Sequence, residues 1–128
     1  MSQVLYVPRR VLEATRAHLA REAPREGVGL WAGRREVERV LPLPNAHPEP
    51  LTGYLAEPLA LLRALRELEG AGLSLLAIYH SHPKGPAFPS PRDIQEARWR
   101  VPYVIFGTDG VRAFLLPQGQ EVALALLP

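Results

Sequence analysis

The 128-residue chain contains no cysteine. Disulfides, thiol nucleophiles, iron–sulfur clusters and thiolate-ligated zinc are therefore excluded, and any bound metal has to be held by histidine and carboxylate. Lysine is almost absent as well: of the 15 basic residues Lys84 alone is lysine, and the other 14 are arginine. The formal net charge is only +2, and the arginines are scattered along the chain. Without a basic stripe, nucleic-acid binding has no support in the charge pattern. No apolar run approaches the roughly 20 residues of a membrane span. The opening MSQVLYVPRR also lacks the charged-then-apolar layout of a secretory signal. A soluble cytoplasmic protein with no membrane partner is expected. Internal repeats and Ser/Gly linkers are missing too, and the length suits one domain, 1–128, with a core that needs no staple.

What is present is patterned. Val4–Val7 alternates as a short strand, and Pro8 leads into a helix from Arg9 to about Arg21 that ends before Pro24. Gly27–Ala32, the turn Gly33-Arg34-Arg35 and Glu36–Leu41 predict a hairpin, with Arg34, Arg35 and Arg39 as its solvated end. Pro42 to Pro58 is loop-rich, the natural place for a partner-binding groove. Leu61, Leu62, Leu65 and Leu68 share one side of a helix from Pro58 to Glu69, stopped by Gly70 and Gly72. Leu73–Tyr79 is too apolar for an exposed face and predicts a central strand. Ser90 looks like an N-cap, with Pro91 at N1 and Asp93 at N3, opening a helix to about Arg98. Strands at Tyr103–Phe106 and Val111–Leu116 follow, and Glu121–Leu126 is expected to add an edge. The order describes an α/β (α+β) fold, a mixed sheet packed with about three helices.

The chemistry concentrates in His80-Ser81-His82-Pro83, followed six residues later by Ser90-Pro91-Arg92-Asp93. His80 and His82 lie two apart at the end of an extended strand, where alternate side chains leave on the same side. Pro83 stops the strand, and the loop through Gly85, Pro86 and Pro89 turns the chain back so that Asp93 can reach the same point. Two imidazoles and one carboxylate form a three-ligand zinc site with a fourth position open to water, whose pKa such a metal lowers towards about 7. Hydrolysis then needs a general base and an oxyanion donor. Glu26, which opens the apolar Gly27-Val28-Gly29-Leu30 segment, stands out as the base, and Ser90 is a candidate donor. Each residue also has a plainer reading: a surface hairpin glutamate for Glu26, an ordinary N-cap for Ser90 and a helix-dipole carboxylate for Asp93. His18 and His47 have no ligand partner at a meaningful spacing, and Trp31 and Tyr79 read as core or cleft wall.

Together, H-S-H-P-x6-S-x2-D and the upstream Pro24-Arg25-Glu26-Gly27-Val28-Gly29-Leu30-Trp31-Ala32-Gly33 resemble the JAMM (MPN-plus) metalloprotease family over nearly the whole chain. The resemblance implies the JAMM/MPN, cytidine-deaminase-like fold. It implies one zinc ion bound by His80, His82 and Asp93, with Glu26 activating water and Ser90 steadying the oxyanion. Where the family often has a cysteine in the Glu strand, this chain has Val28, a packing position. The chain is short for the insertions of polyubiquitin-cleaving members and is most similar to small bacterial ones. The implied activity is that of a zinc peptidase or isopeptidase cutting after the Gly-Gly tail of a ubiquitin-like or sulfur-carrier protein. The same chemistry on a carrier–cysteine adduct or a cell-wall-type peptide is the alternative. A non-catalytic MPN scaffold fits poorly, because scaffold members typically lose ligands that are all present here. Homodimer formation is left open.

Overall fold

The computed structural model describes residues 3–128. In chain order it contains β1 (Val4–Pro8), α1 (Arg9–Glu22), β2 (Val28–Gly33), β3 (Val37–Leu43), α2 (Pro58–Gly70), β4 (Ser74–Ser81), α3 (Pro91–Glu96), β5 (Tyr103–Gly107), β6 (Gly110–Leu115) and β7 (Gln120–Leu127). All seven strands form one sheet, in the order β1-β7-β6-β5-β4-β2-β3. β1 with β7 and β4 with β5 run parallel, and the remaining neighbours are antiparallel. β1 also meets the residue just before β3 through a bridge between Tyr6 and Glu36, so the sheet curls back towards itself.

Strand periodicity divides the core in two. Trp31 on β2 and Ala77 and Tyr79 on β4 pack on the α1 side, with Val7, Val11, Leu19 and Phe106. Val28 and Leu30 on β2 and Ile78 on β4 pack on the α2 side, with Ala64, Leu68 and Ile105. Because side chains alternate across a strand, His80 continues the row of Ile78 towards the α2 side, while Ser81 continues that of Tyr79. β2 is buried along its whole length, as a strand covered on both faces must be.

Buried polar pairs tie α1 to the sheet. His18 Nδ1 lies 2.7 Å from the Tyr79 hydroxyl. Trp31 Nε1 donates to Thr15 Oγ1, which itself donates back to the Val11 carbonyl. Tyr79 reaches His18 only because Gly29 has no side chain, since a Cβ at Gly29 would collide with the phenol ring. Gly29→Ala is therefore expected to destabilise the fold by about 1–3 kcal/mol. The urea midpoint measures this, and an unchanged midpoint would mean that the ring does not occupy that space.

Several boundaries differ from expectation for identifiable reasons. β7 is not an edge but lies between β6 and β1, because its partner is the first strand. β4 runs on through His80 to Ser81, paired with β5 on one side and β2 on the other. α2 ends at Gly70 with Ala71 as its C-cap, and Gly72, at φ +70°, takes the left-handed turn. α3 stops at Glu96 rather than near Arg98, because the Arg98 and Trp99 amides donate instead to the Tyr103 hydroxyl at 2.9 and 2.8 Å. The hairpin arginines are partly neutralised: Arg34 pairs with Glu38 and Arg39 with Glu67. These surface pairs contribute about 0–1 kcal/mol each.

Candidate metal centre

Each side chain of the predicted cluster is delivered by a locally braced backbone. At the end of β4 the Ser81 amide donates to the Gly27 carbonyl, and the Gly27 amide donates to Ser81 Oγ at 2.8 Å. The His82 amide donates to the Phe106 carbonyl, which fixes His82 just beyond the strand. Ser90 and Asp93 close a reciprocal capping box: the Asp93 amide donates to Ser90 Oγ at 3.0 Å, and the Ser90 amide donates to Asp93 Oδ2 at 2.9 Å. The expected N-cap is thus present, and it aims the Asp93 carboxylate as well as starting the helix. Glu26 sits in the short connection between α1 and β2 and is only 6% exposed, so the plain surface-hairpin reading does not describe it.

The four acidic and imidazole groups converge. One donor atom each from Glu26, His80, His82 and Asp93 lies within 4.8 Å of the others, and all four residues are buried. His80 Nε2 and His82 Nε2 are 3.2 Å apart, and Asp93 Oδ2 lies 3.3 Å from the first and 2.9 Å from the second. A tetrahedral shell with bonds of about 2.05 Å has donor–donor edges of about 3.3 Å, so these three atoms fit such a shell.

The hydrogen-bond chemistry supports the same fit. His82 Nδ1 is 2.9 Å from the Pro86 carbonyl, which can only accept, so Nδ1 carries a proton. In the neutral ring Nε2 is then a lone pair facing the Asp93 carboxylate, and either a proton or a cation has to stand between them. Burial works against the charged His82 ring, yet its hydrogen bonds to Asp93 and the Pro86 carbonyl raise its pKa overall. Burial likewise works against the Asp93 carboxylate, but the two imidazoles hold its pKa far below the usual range. Burial lowers the His80 pKa, against the opposing pull of Asp93. Burial pushes Glu26 up to about 7, despite the opposing pull of His82. Among the described residues, two buried side-chain atoms have no hydrogen-bond partner: Glu26 Oε1 and His80 Nδ1.

Two of the clefts near the cluster bear on its chemistry. One, of about 360 Å³, is lined by Glu26, His82 and Ser90, with Leu51 and Phe88 at its rim. The other, of about 440 Å³, is more apolar and includes Val28, Leu30, Trp99 and Tyr54. Tyr54 stacks on the His80 ring at 4.1 Å between centroids and separates this second cleft from the donors. Neither Tyr54 nor Asn45, whose side chain reaches the Glu26 carbonyl, is picked out by sequence spacing. His47 lines the apolar cleft, 3.6 Å from Glu96, and His18 serves the core through Tyr79.

A mixed seven-stranded sheet with three helices is the architecture of the JAB1/MPN fold. A JAB1/MPN domain protein from Archaeoglobus fulgidus superposes with a TM-score of 0.68 over 98% of this chain and 98% of its own, at 17% identity. The family description "Prokaryotic homologs of the JAB domain" matches residues 8–117, and the chain belongs to that family. A probable TtuB-protein conjugate cleaving protease from Thermus thermophilus is 84% identical over 124 residues, covering 97% of this chain and 84% of its own. A desampylase from Haloferax volcanii is 33% identical over 104 residues, 78% of this chain and 75% of its own. Among the described residues no helix is long and apolar enough to cross a membrane.

Proposed function

We propose that the chain, acting as one cytoplasmic domain, is a zinc-dependent peptidase or isopeptidase. Its proposed substrate is the amide bond after the C-terminal Gly-Gly of a ubiquitin-like or sulfur-carrier protein. The observation that carries this reading is the convergence of two Nε2 atoms and a carboxylate oxygen at tetrahedral spacing, beside a second carboxylate with an unpartnered oxygen. The relatives named above, which include a conjugate-cleaving protease, support the substrate class.

His80, His82 and Asp93 would hold the ion. When bound, zinc supplies Lewis acidity, polarising the scissile carbonyl and acidifying water at neutral pH. Glu26 takes a proton from the attacking water on its unpartnered Oε1 and returns it to the leaving amine. Burial raises the Glu26 pKa above that of an ordinary glutamate in the metal-free protein, which favours taking up that proton. Ser90 Oγ accepts from the Asp93 amide, which leaves its own hydroxyl proton free to donate. That proton steadies the oxyanion from within the cleft shared with Glu26 and His82. Glycines before the scissile bond suit a tail that has to pass between Leu51 and Phe88 without side chains to accommodate. One chain supplies every residue this reading uses, so it requires no second copy.

The test is to incubate the zinc-loaded protein with fusions of Gly-Gly-ending carriers and to read the products by mass spectrometry. The expected product is the free carrier ending in Gly-Gly, abolished by a chelator. Intact fusions throughout would overturn the reading.

A further inference from the structure

Glu26 has no regular element of its own to hold it, and its side-chain Oε1 has no partner. Its direction is therefore set by its backbone. Both main-chain groups of Glu26 are bound by the loop that joins β3 to α2. The Glu26 amide donates to the Pro50 carbonyl at 2.7 Å, and the Glu26 carbonyl accepts from Asn45 Nδ2 at 2.8 Å. Asn45 Nδ2 also donates to the Gly53 carbonyl, while Asn45 Oδ1 accepts from the His47 and Leu55 amides, each at 3.0 Å. Two donors and two lone pairs are thus all used, and only a primary amide has that inventory.

The loop itself is anchored rather than free. Its two arms are joined by Ala46 donating to Leu55 and Glu57 donating to Pro44. Arg92, between Ser90 and Asp93 on α3, reaches back to Glu49 at 3.0 Å and to Thr52 at 3.4 Å. One loop therefore references Glu26 to the same helix start that presents Asp93 and Ser90, and Asn45 is the knot in it.

We propose that Asn45 is a positioning residue for the hydrolytic reaction: its amide holds the Glu26 backbone and so aims the Glu26 carboxylate. This rests on the proposed peptidase activity. Asparagine is required because an aspartate of the same shape would still accept from His47 and Leu55 but would turn an oxygen towards the Glu26 and Gly53 carbonyls. Repulsion would then replace two hydrogen bonds.

The experiment compares wild type, Asn45→Asp and Asn45→Ala, each zinc-loaded, on a Gly-Gly carrier fusion that the wild type cleaves. Both variants are expected to lose roughly 10–100-fold in kcat, the scale seen when residues supporting a site are removed. KM should stay within about twofold and zinc should remain at one per chain, because Asn45 belongs neither to the cleft beside Glu26 nor to the donor cluster. Amide hydrogen exchange gives a second readout independent of turnover. Protection at the Glu26 amide should fall in both variants and at the His47 and Leu55 amides in Asn45→Ala, while the β2–β4 ladder amides stay protected. Wild-type kcat together with wild-type exchange at Glu26 in the variants would overturn the role of Asn45 alone. A loss that follows the unfolded fraction, with every amide exposed in parallel, would do the same. A wild-type protein inert on every carrier would overturn both this role and the activity it serves.

Discussion

Glu26→Gln is expected to lower kcat by roughly 10²–10⁴-fold, the usual contribution of a positioned general base, while zinc content stays at one per chain. Glutamine keeps the size of the side chain and the packing around a 6%-exposed position, but it cannot take up a proton. Turnover on a carrier fusion and elemental analysis check the two halves, and full activity in the variant would remove Glu26 as the base. The carboxylate has to be ionised to accept the proton, so wild-type activity should rise with pH through the Glu26 pKa. Burial places that pKa near 7 in the metal-free protein, and a bound cation moves it lower. The same burial gives a stability signature of opposite sign. With the folded pKa raised above the ordinary glutamate value of 4.5, the folded state holds the proton longer than the unfolded state. Metal-free wild type therefore loses stability as pH rises from about 4.5 to about 7. Glu26→Gln abolishes that loss, so metal-free Glu26→Gln should melt above wild type at about pH 8. A variant both inactive and more stable would mark Glu26 as a residue kept for chemistry rather than for folding.

His82→Ala is the second large effect. It removes the Nε2 that lies 2.9 Å from Asp93 Oδ2 and 3.2 Å from His80 Nε2, leaving two donors where three had met. Zinc content after dialysis is expected to fall from one per chain to near zero. Zinc held at about 100 times Kd should stabilise wild type by about 2.7 kcal/mol, visible as a higher melting temperature, and should leave His82→Ala unmoved. Because His82 has to shed a proton to accept a metal, wild-type affinity should also weaken as pH falls. Unchanged metal content in the variant would remove His82 from the ligand set.

The parts of the centre that were legible in advance are those encoded by short-range rules. Two histidines two apart at a strand end share a face whatever the fold around them. Ser90, Pro91 and Asp93 spell a helix start whose capping box is the same geometry that turns Asp93 inward. Glu26 was legible by its apolar neighbours, since β2 behind it is buried throughout. What was not legible depends on residues far apart in the chain. The stacking of Tyr54 on His80 and the grip of Asn45 on Glu26 come from a proline-rich loop whose path no periodicity predicts. His18 carries no local sign that Tyr79, 61 residues later, will meet it. The position of β7 is hidden for the same reason, because the strand that claims its free side is β1.

That pairing shapes how the molecule comes into being. Val4 aligns with Ala123 and Pro8 with Leu127, so the ladder between β1 and β7 joins the two ends of the described sequence. Such distant pairings carry a large loop-closure cost and slow the formation of native structure. On the ribosome, β1 emerges before the other strands and has to wait for more than 100 further residues before its partner is synthesised. The hairpin of β2 and β3 and then β4 can already be in place, with both histidines delivered, while β1 is still without β7. The half of the sheet that delivers His80 and His82 thus has no need to wait for the half that closes last.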